Sequence, residues 1–244
     1  MYDYYFLFIG LILLCALFAG WASAKVHFTF NAYQDVPTSS RMTGYDTAVR
    51  LLRANGIRHI RIGRVQGMLT DHFHPAQNIV NLSDSTYSND SVTAVAVSAH
   101  EIGHVLQKEQ GYFPYKIRTV LVPITNIGSR LALPLVFIGL LFDIFLGIAQ
   151  NSNLGFTLAM IGVAMYGLST LFAFVTLPVE LDASRRAKNM LVSEGIITSA
   201  ELPYAEKMLS AAARTYLASL LTSLVYFLRF LVWVLVMFGK NDRD

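Results

Sequence analysis

The sequence predicts an α-helical multi-pass membrane protein, with four transmembrane helices carrying a small α+β domain on one membrane face. Three observations predict it. The 244 residues are 54% hydrophobic and only 14% charged, where a soluble domain carries about 25% charged residues, and the mean hydropathy is +0.47. The charge is unevenly spread. Residues 25–118 hold ten Lys+Arg and seven Asp+Glu, residues 178–216 hold five of each, and the other 111 residues hold four of each. Finally, four apolar stretches (roughly Tyr4–Ala24, Leu131–Ala149, Leu154–Leu177 and Leu217–Phe238) reach the ~20 helical residues that cross a hydrocarbon core. The second stretch is mostly apolar from Thr119 onward, broken by Pro123. The expected organisation is therefore a transmembrane helix at 1–24, a polar α+β segment at 25–118, a transmembrane hairpin at 119–177, a polar helical segment at 178–216, and a last transmembrane helix with a short tail at 217–244.

The formal charge of +3 is small and dispersed, which argues against a nucleic-acid surface. Cys15 is the single cysteine, so no intramolecular disulfide forms. The leader Met1-Tyr2-Asp3 lacks the basic residues of a secretory signal, and the apolar run behind it is too long for one. Helix 1 is expected to be retained, although Ala22-Ser23-Ala24 resembles a cleavage site. With four spans, 16 of the 19 Lys+Arg fall on the side that carries both polar segments. The positive-inside rule puts that side in the cytoplasm and both termini outside.

Within 25–118, Thr43–Ala54 shows apolar residues at helical spacing before the stop signal Asn55-Gly56. Ile57–Val65 reads as a strand. Leu69–Phe73 and Asn78–Leu82 flank His74-Pro75-Ala76-Gln77 and read as a hairpin. Ser91–Gln107 reads as a helix opened by Asn89-Asp90-Ser91. It carries His100-Glu101-Ile102-Gly103-His104. At about 100° per residue, the two histidines stand one turn apart on one face. Two imidazoles at that spacing can bind one Zn²⁺ and leave room for further ligands. Glu101 lies beside them, placed to take a proton from the attacking water as a general base. About 17 residues between flanking charges are too few to cross a membrane, so this helix is amphipathic and not a span.

A catalytic zinc takes a third protein ligand. His27, His59, His72, His74 and the carboxylates are candidates, and Glu180 stands out just past Pro178, where the third span returns to the cytoplasmic side. Pro178 followed by Ala183–Leu191 and Gly195 reads as a helix with its own start and stop.

His100–His104, the preceding Leu69-Thr70-Asp71-His72-Phe73-His74-Pro75, the run Glu180-Leu181-Asp182-Ala183-Ser184-Arg185-Arg186-Ala187 and Ala211-Ala212-Ala213-Arg214-Thr215-Tyr216 together resemble the YugP-type neutral zinc metallopeptidases of bacterial membranes. The likeness covers nearly the whole chain. That family is similar to the gluzincin clan. The resemblance implies Glu180 as the third ligand, and with the orientation given above the expectation is a zincin-like catalytic domain on the cytoplasmic face that holds one Zn²⁺ per chain. It also implies that the strand Asn78, Ile79, Val80, Asn81, Leu82 borders the substrate cleft. Many gluzincins hold a zinc-binding histidine with an Asp four residues after the ligand Glu. Here that position is Ser184, whose hydroxyl can accept an imidazole N–H, and Asp182 is a weaker candidate. Peptide hydrolysis also needs an oxyanion stabiliser, for which Tyr216, Tyr204, His72 and Arg185 are candidates.

The expected function is a membrane zinc endopeptidase acting on peptide or membrane-protein substrates at the cytoplasmic face. The lipid bilayer is its surroundings, there is no nucleic-acid partner, and room remains for an oligomer or an accessory membrane protein. The alternative is a catalytically silent zinc-binding membrane scaffold or regulator, which would have no need of Glu101. Two charges interrupt the spans. Asp143 and Arg229 each lie 12 residues into their span, at similar depth, and would offset one another if they paired.

Overall fold

The computed structural model describes residues 2–146 and 154–238. Ten elements follow in order: α1 (Tyr2–Tyr33), α2 (Gly44–Ala54), β1 (Arg61–Val65), β2 (His72–His74), β3 (Ile79–Ser83), α3 (Asp84–Tyr87), α4 (Val92–Glu109), α5 (Phe113–Leu146), α6 (Leu154–Ser193) and α7 (Leu202–Phe238). The molecule is mostly helical with one small sheet. It divides into two compact units. One takes residues up to Ala19, Ile117–Thr176 and those from Leu217 on, and the other takes Gly20–Lys116 and Leu177–Tyr216.

Three helices, α1, α6 and α7, are long and apolar enough to cross a membrane. α5 adds a fourth crossing if its two parts, Phe113–Gly128 and Arg130–Gly139, are counted as one span bent by 43°. Pro134 explains a bend there, because its ring clashes with the carbonyl four residues earlier, that of Arg130, and offers it no N–H. α5 and α6 pack through small residues: a Cβ on Gly162 would come within 2.7 Å of the Ala132 carbonyl oxygen, the close backbone approach that favours glycine between membrane helices. The turn at 150–153, the tail beyond Phe238 and the side chain of Asp143 lie outside the described residues, so the Asp143–Arg229 pairing does as well.

The second unit holds the α+β core. Thr43 caps α2 in a capping box with Asp46, and Ser91 caps α4, its hydroxyl accepting from the Ala94 N–H at 3.2 Å. Leu51, Val80, Leu82, Val95, Ile102, Leu191 and Ile196 form a continuous buried cluster. It ties the helices to the inner face of the sheet.

Three expectations need correction here. The sheet order is β1-β3-β2, with β1 parallel to β3 and β2 antiparallel to it. Residues 78–82, expected at the substrate edge, thus fall on the central strand and its first flanking residue. Their backbone is committed to a neighbour on each side. Helix 1 does not stop at Ala24: α1 continues nine residues to Tyr33, since nothing in Lys25–Tyr33 breaks a helix. Nor does Pro178 begin a helix, because α6 runs through it without interruption to Ser193.

Candidate metal centre

α4 delivers His100 and His104 on one face, and α6 brings Glu180 against them. The His100 Nε2 lies 3.2 Å and the His104 Nε2 3.4 Å from the same oxygen, Glu180 Oε2. Ligand atoms of the three residues all lie within 4.8 Å of one another, and the described residues hold no other such group of His, Cys, Asp or Glu. Glu180 is only 1% exposed. Burial opposes its ionisation, but hydrogen bonds and charge from the two imidazoles outweigh that and hold the carboxyl far below the usual range.

The helices can meet this closely because residue 103 is glycine. A Cβ there would stand 2.6 Å from the carbonyl oxygen of Ala183 on α6. Gly103→Ala is therefore expected to push α6 away from α4, lowering stability by about 1–3 kcal/mol, as overpacking does, and weakening metal binding. Thermal unfolding and zinc titration of the purified variant check this.

The opposite ring nitrogens are engaged by outer partners. Gln107 donates through Nε2 to the Val179 carbonyl at 2.7 Å and to Asp182 Oδ2 at 3.0 Å. This turns its Oε1 toward His104 Nδ1, 3.0 Å away. An amide oxygen only accepts, so His104 donates from Nδ1, and in the neutral imidazole that leaves the Nε2 lone pair for a metal. The Ser184 hydroxyl lies 3.2 Å from His100 Nδ1. Asp182 is itself anchored by Arg186 Nε at 2.5 Å and by Arg185. Two imidazole nitrogens and a carboxylate oxygen converging on one point are held together either by protons on Nε2 or by a cation that takes their place. This donor set fits a divalent metal with nitrogen and oxygen ligands.

Glu101 is also buried, at 7% exposure. Burial is the main influence that pushes its pKa up, to about 7. The neighbouring His100 pulls it down, while Glu180 and Asp71 raise it further, and the Phe73 backbone N–H donates to it. Asp71 is fixed by the start of α3, accepting from the Ser83 N–H at 2.8 Å and the Ser83 hydroxyl at 2.7 Å. His100 and Glu101 open on a cavity of about 450 Å³, with Asp71 on its rim, His27 of α1 on one wall and Tyr216 of α7 on another.

Of the remaining candidates, His27 lines the cavity but stands outside the ligand group. His72 is turned onto the Thr70 carbonyl at 2.9 Å and the Asn81 amide at 3.1 Å. His74 accepts from the Gln77 N–H, and His59 pairs with Glu109. Tyr204 packs on Tyr33 and Arg185 on Asp182, so among the four oxyanion candidates only Tyr216 borders the cavity. Asn81 contacts His72, and the Asn78 side chain accepts from Lys108 at 2.6 Å; neither lines the cavity. Sequence reasoning missed Gln107 and Asp71. Gln107 had a signal, since it stands one helical turn after His104. Asp71 had none, because its role depends on a loop folding back to α3.

Apolar spans joined to a buried His-Glu-x-x-His centre define a membrane protein with a potential metallohydrolase site, and the comparisons agree. The family model described as "Putative neutral zinc metallopeptidase" matches residues 6–235, and the chain belongs to this family. It is 39% identical over 238 residues to the "Putative membrane protease YugP" of Bacillus subtilis (strain 168), covering 98% of this chain and 99% of that protein. No solved structure matches.

Proposed function

We propose that this protein is a membrane-embedded zinc endopeptidase that hydrolyses peptide bonds at the cytoplasmic face. The observation that carries the proposal is the convergence of His100, His104 and Glu180 on one point beside the buried carboxyl of Glu101. These three residues would hold one zinc ion per chain. When bound, zinc supplies Lewis acidity that polarises the scissile carbonyl and acidifies the attacking water. Glu101 accepts the proton of that water and returns it to the leaving amine. A carboxyl poised near neutrality both takes and gives a proton readily. The Phe73 N–H would orient it, and Tyr216, which lines the cavity, would donate to the developing oxyanion.

Because β3 is central, the reading takes β2 as the strand the substrate would pair with instead. β2 pairs with β3 on one side only, and the N–H of Phe73 on this strand reaches the Glu101 carboxyl. An extended peptide added along that outer edge would pass directly by the centre. The cavity walls support a membrane-protein substrate: Ser23, Val26 and His27 follow the first apolar run in α1, and Ala212, Thr215 and Tyr216 precede the last one in α7.

The decisive experiment is zinc analysis of the purified chain together with cleavage of peptide substrates, with and without a chelator. Zinc without cleavage of any peptide would instead support the scaffold reading. Orientation has its own test. In a variant lacking Cys15, cysteine placed at Ser85 or Ser193 is expected to be shielded from an impermeant thiol reagent in intact cells, and cysteine at Asn151 to react. Reaction at Ser85 and Ser193 would put the site outside.

A further inference from the structure

The first unit contains a second cavity, of about 370 Å³, that the proposed chemistry does not use. Tyr4 and Tyr5 of α1, Phe137 of α5, and Arg229, Phe230 and Trp233 of α7 line it. Its walls are almost wholly apolar, yet a permanently charged guanidinium opens into it. Arg229 is partly buried, and no acidic side chain among the described residues pairs with it. Its place along the helix indicates what does. The lining runs from Arg229, midway along the last apolar stretch, out to Val236 near the end of that stretch and to Tyr4 and Tyr5 near the start of α1. The cavity therefore extends toward the ends of the spans nearest the two chain termini. A long arginine side chain extends toward such an end, and tyrosine and tryptophan concentrate at the headgroup level. Tyr4 and Tyr5 are more than half exposed and Trp233 about one-third, so the aromatic rim is open to lipid.

We propose that this cavity binds one anionic phospholipid of the phosphatidylglycerol type. Its phosphate sits on the Arg229 fork and its first acyl methylenes lie against the aromatic walls. Charge complementarity selects the headgroup. A phosphodiester accepts two parallel N–H donations from a guanidinium and brings one negative charge to balance one positive charge. A phosphatidylcholine headgroup would bring its own cation, for which the described lining offers no carboxylate.

The test uses the full chain in detergent, exchanged into equal amounts of phosphatidylglycerol and phosphatidylcholine, with the retained lipid counted by mass spectrometry. The wild type is expected to retain phosphatidylglycerol with about tenfold preference, roughly the 1.4 kcal/mol of one charge-assisted contact. Arg229→Gln should abolish the preference. Arg229→Lys, which keeps the charge but loses the fork, should keep part of it and controls for misfolding. Equal retention of the two lipids by the wild type, or an undiminished preference in Arg229→Gln, overturns the proposal. So does a preference that emerges only in Asp143→Asn, which would mean that Asp143 already holds the guanidinium.

Discussion

Glu101→Gln is expected to keep zinc at the wild-type stoichiometry and to lose turnover by about 10²–10⁴-fold, the contribution of a positioned general base. The side chain sits 7% exposed beside His100, and the Phe73 N–H donates to it. A glutamine there keeps the volume, and its carbonyl oxygen can still accept from Phe73, so the helix and the three converging ligand atoms stay in place. What it cannot do is take a proton. Burial holds the glutamate carboxyl near neutrality, where it can cycle between its two forms, whereas an amide has no such form at any accessible pH. The readouts are kcat on a peptide substrate and bound zinc by elemental analysis, with circular dichroism to exclude unfolding. Unchanged cleavage would remove Glu101 from the chemistry and the hydrolytic reading with it.

Why this much of the centre was legible beforehand follows from locality. The helix carrying His100, Glu101 and His104 announces itself through its Ser91 cap and its spacing, and α4 indeed runs from Val92 to Glu109. Hydropathy identified the helices that are long and apolar enough to cross a membrane, because twenty apolar residues leave few alternatives; three reach that length outright and α5 only across a bend. The failures are those of non-local or competing signals. That β3 is the central strand depends on its parallel pairing with β1 across an intervening hairpin strand, and no local pattern encodes it. α1 outlasts its apolar run because helix propensity, not hydropathy, decides where a helix stops. Pro178 looked like a helix start because proline favours the first turn, yet packing of the flanking turns can carry a helix through it. The tie between His104 and Asp182 passes through an intermediary, Gln107, so spacing between the two ends could not reveal it.

That chain of contacts leads to the second large effect. Glu180→Ala is expected to yield protein that loses its zinc on dialysis, because three converging donors become two. The loss should also be felt by the fold. Glu180 is 1% exposed and lies against both imidazoles, and its removal leaves a void between α4 and α6. Gln107→Leu separates metal effects from packing effects. It preserves the bulk of a fully buried side chain but removes the acceptor that holds His104 Nδ1 and the donor to Asp182. Removing an outer partner of this kind weakens metal affinity by about 10–100-fold, so Gln107→Leu should still bind zinc in excess metal, with its affinity falling between those of the wild type and Glu180→Ala. Competition with a chromophoric chelator measures all three proteins on one scale. Wild-type affinity in Glu180→Ala would place the third ligand elsewhere. A larger loss in Gln107→Leu than in Glu180→Ala would mean that the orientation of His104, and not the carboxylate, governs the site.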